Sequence, residues 1–235
     1  MAHLEADEDS KDIARAKTEL SLAAARLREK GVTSTGEAFP GEPAPVLLDY
    51  IKRRKIDLVV MGTHARTPAE RWLLGSVAHD VVCSSPAPVL LVPRKGHFHR
   101  DDQLRVLVAY DGSEPARAAL DATFALADTV SASLTLFLVL PGESRDSESA
   151  GIEWYDEPVL GVPPELEYAA AELSKRGMSC RRAYSFGDPA EEILKFTQRG
   201  DFDLVSIGTR SRSGLDGLVM GSVAEQVTRH AHVPV

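Results

Sequence analysis

Residues 57–65 read Asp-Leu-Val-Val-Met-Gly-Thr-His-Ala, and residues 203–211, which lie 146 positions later, read Asp-Leu-Val-Ser-Ile-Gly-Thr-Arg-Ser. After nine further residues, both stretches continue with Gly-Ser-Val-Ala, at 75–78 and at 221–224. An apolar, β-branched run that ends at glycine and a small-residue loop is typical of a strand that stops at the edge of a sheet. Gly-Ser-Val-Ala then predicts a helix start, whose free N–H groups and positive dipole end suit an anion.

The same offset relates earlier parts of the chain. Gly-Glu-Pro-Ala at 41–44 matches Gly-Asp-Pro-Ala at 187–190, and each segment opens a helical pattern. Such equal spacing over a long stretch indicates an internal duplication. We therefore predict two repeats, joined by a short charged linker, with the bounds 1–93, 94–103 and 104–235.

The two repeats are unequal in extent. Repeat two opens with an apolar strand, the segment Asp111-Gly-Ser, a helix and a second apolar strand. The positions equivalent to Asp111 and to both of these strands fall before Met1, so repeat one lacks this leading strand–helix–strand segment in the present sequence.

Composition excludes several classes of protein. The formal net charge of −8 argues against a protein that coats nucleic acid, because phosphate contacts need clustered Lys and Arg. No apolar run is long enough to predict a membrane span, and the acidic start is unlike a signal peptide. Cys83 and Cys180 occupy unrelated positions of the two repeats, which favours free thiols in a reducing compartment. We expect a cytoplasmic protein.

Strand and helix patterns alternate along the chain, which predicts an α/β fold with two repeated domains. Each domain is expected to be a three-layer, Rossmann-like arrangement with a parallel sheet, because several strands are uniformly apolar. The predicted strands are 32–37, 57–62, 89–93, 104–110, 133–140, 179–186 and 203–208. The predicted helices are 10–30, 44–55, 76–84, 115–126, 164–176, 189–198 and 222–229, and 141–163 is predicted to be a long loop.

Small and polar residues follow the strands of repeat two, where parallel sheets bind ligands. Asp111 is placed to accept a hydrogen bond from a ribose hydroxyl or an amine, and Gly208 lets a ligand approach the backbone. Ser222 offers a hydroxyl and a helix-start N–H to phosphate oxygens, with the N–H of Val223 beside it. Taken singly, each of these residues favours a role as a helix cap or a helix start. Taken together, they favour a nucleotide.

The chain resembles the universal stress protein (UspA) family in its tandem form. The matching text is Val-Leu-Val-Ala-Tyr-Asp-Gly-Ser-Glu-Pro-Ala at 106–116, Gly-Asp-Pro-Ala at 187–190 and both Gly-Thr…Gly-Ser-Val-Ala segments. The resemblance implies an adenine nucleotide, with ATP favoured and Mg²⁺ as an accompanying candidate. It implies contacts from Asp111, Val139, Gly208, Gly221 and Ser222, and the loop and helix-start patterns add Ser211 and Val223 to the candidate contact residues. Val139 would meet adenine through its backbone.

Both repeats depart from the family's loop pattern at one position. Nucleotide-binding members carry a glycine where this chain has Ala65 and Ser211. In repeat one, Gly62, Gly75 and Ser76 are then expected to form a relic or a half-site, so the prediction is a single site in repeat two.

Three functions follow from these observations. The first is a stress-response sensor or partner switch that binds an adenine nucleotide, and the second is an interaction module whose site has decayed. The third is an ATP-cleaving enzyme, for which any turnover should be slow or incidental because no general base is fixed near the phosphate loop. The resemblance implies association through the last strand of repeat one, so the repeats are expected to pair as an intramolecular pseudo-dimer, with a homodimer as a further alternative. Protein partners are not identified by the sequence.

Overall fold

A computed structural model describes residues 2–63, 74–93, 103–142, 153–155, 162–200, 202–209 and 220–235. The chain divides into two compact units, Met1–Tyr50 and Ile51–Val235. The second unit holds the end of repeat one together with all of repeat two. Across the described residues, no helix is long and apolar enough to cross a membrane.

Repeat one contributes three helices and two strands among its described residues. They are α1 (Ala2–Glu29), α2 (Pro43–Arg54), β1 (Val59–Gly62), α3 (Ser76–Ser84) and β2 (Val89–Val92). The strands pair in parallel, with Val59 opposite Val89 and Gly62 opposite Val92. Both strands are short and largely apolar, and of their eight residues only Leu91 is buried.

Repeat two forms a five-stranded sheet with helices on both faces. Its elements are β3 (Leu104–Ala109), α4 (Glu114–Ala127), β4 (Ala132–Leu140), β5 (Glu153–Tyr155), α5 (Pro164–Lys175), β6 (Cys180–Phe186), α6 (Pro189–Arg199), β7 (Leu204–Ser206) and α7 (Ser222–His230). The strand order is β5-β6-β4-β3-β7, and all pairings are parallel except that of β5 with β6. The α/β fold with parallel sheets is confirmed.

The central strands β3 and β4 are mostly apolar because both of their faces are buried. On one face, side chains of β3 and β4 pack against Leu120 of α4 and Leu166 of α5. On the other face, Phe137 packs against Phe196 of α6 with ring centroids 4.4 Å apart, and Val227 of α7 joins the same cluster. The sheet is therefore the middle layer of three, and the strand ends set the position of any site.

The duplication is visible in the backbone as well as in the sequence. The N–H of Val59 donates to the carbonyl of Pro88 at 2.9 Å, and at the equivalent positions Val205 donates to Pro234 at 2.9 Å. Helices α3 and α7 begin alike: their N-terminal caps, Gly75 (φ −58°, ψ 146°) and Gly221 (φ −63°, ψ 146°), adopt nearly the same conformation. The two repeats therefore share the same local backbone structure at these positions.

Two secondary-structure predictions are wrong. Residues 32–37 form no strand in the described structure. Their equivalents in β6 pair with β4, whereas the pairing among the described residues of repeat one joins only β1 and β2. Within the predicted loop 141–163, the three-residue strand β5 pairs antiparallel with β6. β5 is too short to leave a periodic signal in the sequence.

Candidate nucleotide site

A cavity of about 200 Å³ lies at the carboxyl ends of β3, β4 and β7. Its walls also include residues at the starts of α4, α6 and α7. The lining residues are Ala109, Tyr110, Asp111, Ser113, Ala116, Phe137, Leu138, Val139, Pro189, Ile193, Ile207, Gly208 and Val223. Ligands of open parallel sheets bind at this edge.

Asp111 and Ser113 form the turn between β3 and α4. The N–H of Ser113 donates to Oδ1 of Asp111 at 3.0 Å, and the N–H of Ala116 donates to Oγ of Ser113 at 3.3 Å. The capping interpretation therefore holds for Ser113, which is the N-cap of α4. Asp111 is exposed and lines the cavity with an anionic acceptor, while only its Oδ1 is engaged by the described residues.

Val139 presents its backbone beyond the end of a hydrogen-bond ladder. The pairing of β3 with β4 ends at Ala109 opposite Phe137, and the carbonyl of Phe137 accepts from the N–H of Tyr110 at 2.9 Å. Main-chain groups alternate in direction along a strand, so those of Val139 face the same side of β4 as those of Phe137. They lie past the end of β3, where the cavity is. A planar ring in the cavity could accept a hydrogen bond from the N–H of Val139 and donate one to its carbonyl.

Gly208 lines the cavity, but a different contact explains why it is glycine. A Cβ at this position would lie 2.5 Å from the carbonyl carbon of Pro115 and 2.8 Å from the amide nitrogen of Ala116. Gly208 does not adopt the left-handed conformation that glycine favours. Its lack of a side chain therefore lets the end of β7 pack against the first turn of α4, and the predicted role in ligand approach is not needed to account for it.

The start of α7 forms the remaining wall. Gly221 is its N-cap and makes no side-chain hydrogen bond to the helix, so the first N–H groups of α7 have no side-chain cap. Val223 lines the cavity, and exposed Ser222 stands next to it. The first turn of α7 thus carries the N–H donors and the positive dipole end that suit an anion. Ser211, the other phosphate-side candidate, lies outside the described residues.

The structure brings Asp111, Val139, Gly208 and Val223 to one cavity, with Gly221 and Ser222 beside it. Sequence reasoning missed the apolar floor, which Phe137, Ile193 and Ile207 supply. Part of it was recoverable, because Gly-Asp-Pro-Ala at 187–190 opens an amphipathic helix. The N–H of Glu191 donates to the carboxylate of Asp188 at 3.0 Å, a cap that fixes where α6 begins and hence where Ile193 lies.

Repeat one keeps only part of this arrangement. Gly62 ends β1, while Gly75 and exposed Ser76 begin α3 without a side-chain cap. The positions equivalent to Asp111 and Val139 fall before Met1, and Ala65 lies outside the described residues. Where the chain is described, no group of three His, Cys, Asp or Glu could hold a metal ion.

A model of the universal stress protein family matches residues 1–93 and 104–235. Universal stress protein YxiE of Bacillus subtilis is 31% identical over 141 residues, which cover 56% of this chain and 95% of that protein. Universal stress protein Rv1996 of Mycobacterium tuberculosis is 25% identical over 220 residues and matches both repeats. That match covers 86% of this chain and 64% of the relative, so the chain spans less than two thirds of its length.

Solved structures show the same fold. A universal stress protein from Archaeoglobus fulgidus superposes with a TM-score of 0.73 at 22% identity, covering 94% of this chain and 77% of that chain. A more distant relative from Arabidopsis thaliana, solved with AMP bound, has a TM-score of 0.41 at 19% identity, covering 56% of this chain and 88% of that chain. With the family match extending over both repeats, this chain belongs to the universal stress protein family.

Proposed function

We propose that repeat two binds an adenine nucleotide, with ATP favoured, and that the protein acts as a stress-response sensor or partner switch. The observation that carries this proposal is the single cavity lined by Asp111, Val139 and Val223, next to the uncapped start of α7. An anionic acceptor, a free strand-end backbone and a helix N-terminus are the groups that a ribose, a base and a phosphate respectively require.

The cavity's size and polarity suit the adenosine part of the ligand. Its volume of about 200 Å³ is below the roughly 300–1,000 Å³ of sites that enclose a drug-sized ligand. The base would rest on the apolar floor of Phe137 and Ile193 and meet the backbone of Val139. Asp111 would accept from a ribose hydroxyl. The phosphates would extend outside the cavity to Gly221, Ser222 and Ser211, where Mg²⁺ would accompany them.

Turnover of the nucleotide is expected to be slow or incidental. Asp111 is the one carboxylate among the described lining residues, and the proposed pose places it at the ribose. A general base must reach the attacking water within hydrogen-bond distance, directly or through one water. Binding without rapid hydrolysis is what a sensor of nucleotide level needs.

The second candidate function is an interaction module whose nucleotide site has decayed. The observation that favours it is the replacement of the loop glycine by Ala65 and Ser211 in both repeats. In either case we infer that the repeats pair as an intramolecular pseudo-dimer, because β2 hydrogen-bonds to the end of repeat two through Leu91 and Val235. We infer a cytoplasmic location from the free thiols of Cys83 and Cys180, which favour a reducing compartment.

Calorimetric titration with ATP, 2′-deoxy-ATP and AMP separates these functions. If Asp111 accepts from the ribose, the native chain should bind ATP more tightly than 2′-deoxy-ATP, by about 0.5–1.5 kcal/mol or more because the acceptor is charged. Asp111→Ala should bind the two nucleotides equally, and Asp111→Asn, which keeps the turn's acceptor oxygen, controls for folding. A folded native chain that gives no heat with any of the three would leave the interaction module as the function.

A further inference from the structure

Met220 connects the start of α7 to a helix of repeat one. It is 4% exposed and belongs to a buried group of side chains, here called the α3–α7 cluster. The cluster is formed by Ala78, Val82, Cys83, Leu91, Met220 and Ala224. The next residue, Gly221, is the N-cap of α7, and its N–H donates to the carbonyl of Thr209 at 3.0 Å. The first turn of α7 is therefore positioned from two sides, by the segment that follows β7 and by α3.

The contact of Met220 with α3 is polar as well as apolar. The backbone N–H of Met220 hydrogen-bonds the thiol of Cys83, whose Sγ also lies 3.8 Å from Nε2 of His79. Cys83 is 7% exposed, and this burial raises the pKa of its thiol, so the thiol is uncharged near neutral pH. A buried, uncharged thiol is a poor nucleophile but can accept a hydrogen bond. Cys83 thus acts on Met220 as a hydrogen-bond acceptor within a packed cluster.

Residues 220–224 link this contact to the cavity. Met220 and Ala224 both belong to the α3–α7 cluster, where Ala224 is 2% exposed. Between them, Val223 lines the cavity and Ser222 is exposed beside it. One side of this turn therefore packs on repeat one, while the other carries the N–H groups that suit a phosphate. A displacement of Met220 would move those N–H groups.

The duplication reproduces the packing but not the thiol. Leu74, the equivalent of Met220, packs against the α3–α7 cluster as well. The residue of repeat two equivalent to Cys83 is Arg229, which forms an ion pair with Glu225 of its own helix. Of these two equivalent positions, only the one in repeat one carries a thiol, and that thiol contacts the residue that precedes the start of α7.

We propose that Cys83 is a positioning residue for the phosphate side of the nucleotide site, acting through its hydrogen bond to Met220, so that nucleotide binding in repeat two is coupled to the packing of α3. This inference rests on the proposed function. Asp111 and Val139 would hold the nucleoside, while Cys83 fixes the helix start that meets the phosphates. Such coupling is reciprocal, because a ligand that binds the ordered helix start also disfavours its opening. Repeat one thereby contributes to a site that lies in repeat two.

The first test measures how fast each thiol of the complete, folded chain reacts with N-ethylmaleimide, with and without ATP. Cys83 is buried and reacts only when the α3–α7 cluster opens. Saturating ATP should slow the labelling of Cys83 by roughly tenfold or more. Cys180, at the amino end of β6 and away from the cavity, is the internal control, and its labelling rate should not change. Peptide mass spectrometry gives both rates from one sample.

The second test measures ATP affinity by calorimetry in three folded variants. Cys83→Ala removes the acceptor of the Met220 N–H and should weaken ATP binding about threefold to tenfold. Cys83→Ser keeps an acceptor and should restore nearly the affinity of the native chain. Cys180→Ala removes the other thiol and is the matched control, for which the affinity should stay unchanged.

The outcomes separate this inference from the proposed function. If the native chain binds no ATP, the proposed function fails and the inference fails with it. If ATP binds, the inference is overturned by an unchanged labelling rate of Cys83, by equal slowing of both thiols, or by native affinity in Cys83→Ala. Equal weakening by Cys83→Ser and Cys83→Ala would also overturn it, because the hydrogen bond to Met220 would then not position α7. In each of these cases the nucleotide site itself would stand.

Discussion

Leu91 and Val235 form a reciprocal pair of main-chain hydrogen bonds. The N–H of Leu91 donates to the carbonyl of Val235 at 2.7 Å, and the N–H of Val235 donates to the carbonyl of Leu91 at 3.0 Å. Such an exchange is the hydrogen-bonded pair of an antiparallel ladder. Leu91 lies on β2 of repeat one, and the neighbouring Pro234 accepts from Val205 of β7. These bonds therefore connect the sheet of one repeat to the sheet of the other.

Val235→Pro should destabilise the fold more than Val235→Ala. Proline removes the N–H that the buried carbonyl of Leu91 accepts, and an unsatisfied buried acceptor costs about 1–3 kcal/mol. Alanine keeps that N–H and loses only part of a half-buried side chain. Urea unfolding of both variants measures the difference. Equal free energies of unfolding would mean that this hydrogen bond does not help hold the repeats together.

Gly208→Ala should destabilise repeat two without any ligand present. The added Cβ meets backbone atoms of Pro115 and Ala116 at less than 3.0 Å, and overpacking of this kind costs about 1–3 kcal/mol. The matched variant is Gly221→Ala, whose Cβ would meet only the carbonyl oxygen of Thr209 at 3.9 Å. Thermal and urea unfolding should show a loss for the first variant and little change for the second. A neutral Gly208→Ala would contradict the packing explanation of this glycine.

The stability of the protein should fall at high pH because of Cys180. Burial raises the pKa of this thiol from 9.0 to about 11, opposed by the nearby positive charge of Arg182. Between these values the unfolded chain loses the proton and the folded chain keeps it, so the free energy of unfolding decreases as pH rises. The decrease attributable to this thiol is at most roughly 2–3 kcal/mol.

Urea unfolding at pH 8 and at pH 10.5, for the native chain and for Cys180→Ala, isolates that contribution. The substitution lowers stability at both pH values through lost packing. The informative quantity is therefore the difference in the free energy of unfolding between the two pH values. The native chain should lose more stability than the variant over this interval. The same loss in both proteins would assign the pH dependence to other groups.

The sequence predicted the elements of repeat two well because local and global signals agree there. The central strands β3 and β4 are largely apolar, and α4 and α6 open on side-chain caps at Ser113 and Asp188. In repeat one, residues 32–37 carry a strand pattern but form no strand. A strand needs a hydrogen-bonded neighbour, and propensity alone does not provide one.

The candidate site was predicted in part. Motifs at strand ends and at a helix start pointed to Asp111, Gly208 and Val223, which the fold brings to one cavity. The apolar floor depends on how α6 packs on the sheet, and a local sequence pattern does not predict that packing. The motif also suggested a ligand role for Gly208, where the distances to α4 give a steric one. A glycine at the end of a strand signals a close approach of other atoms to the backbone, without saying which atoms approach.

The most direct test of nucleotide binding in repeat two compares Gly221→Asp with Gly75→Asp by calorimetric titration with ATP. Both glycines are N-caps with nearly the same dihedral angles, where aspartate is a favourable cap, so both variants should fold. At 221 the new carboxylate would occupy the helix start and repel phosphate. The account predicts a single ATP site per chain that is lost in Gly221→Asp and retained in Gly75→Asp. No ATP binding by the folded native chain, or equal affinity in all three proteins, would contradict it.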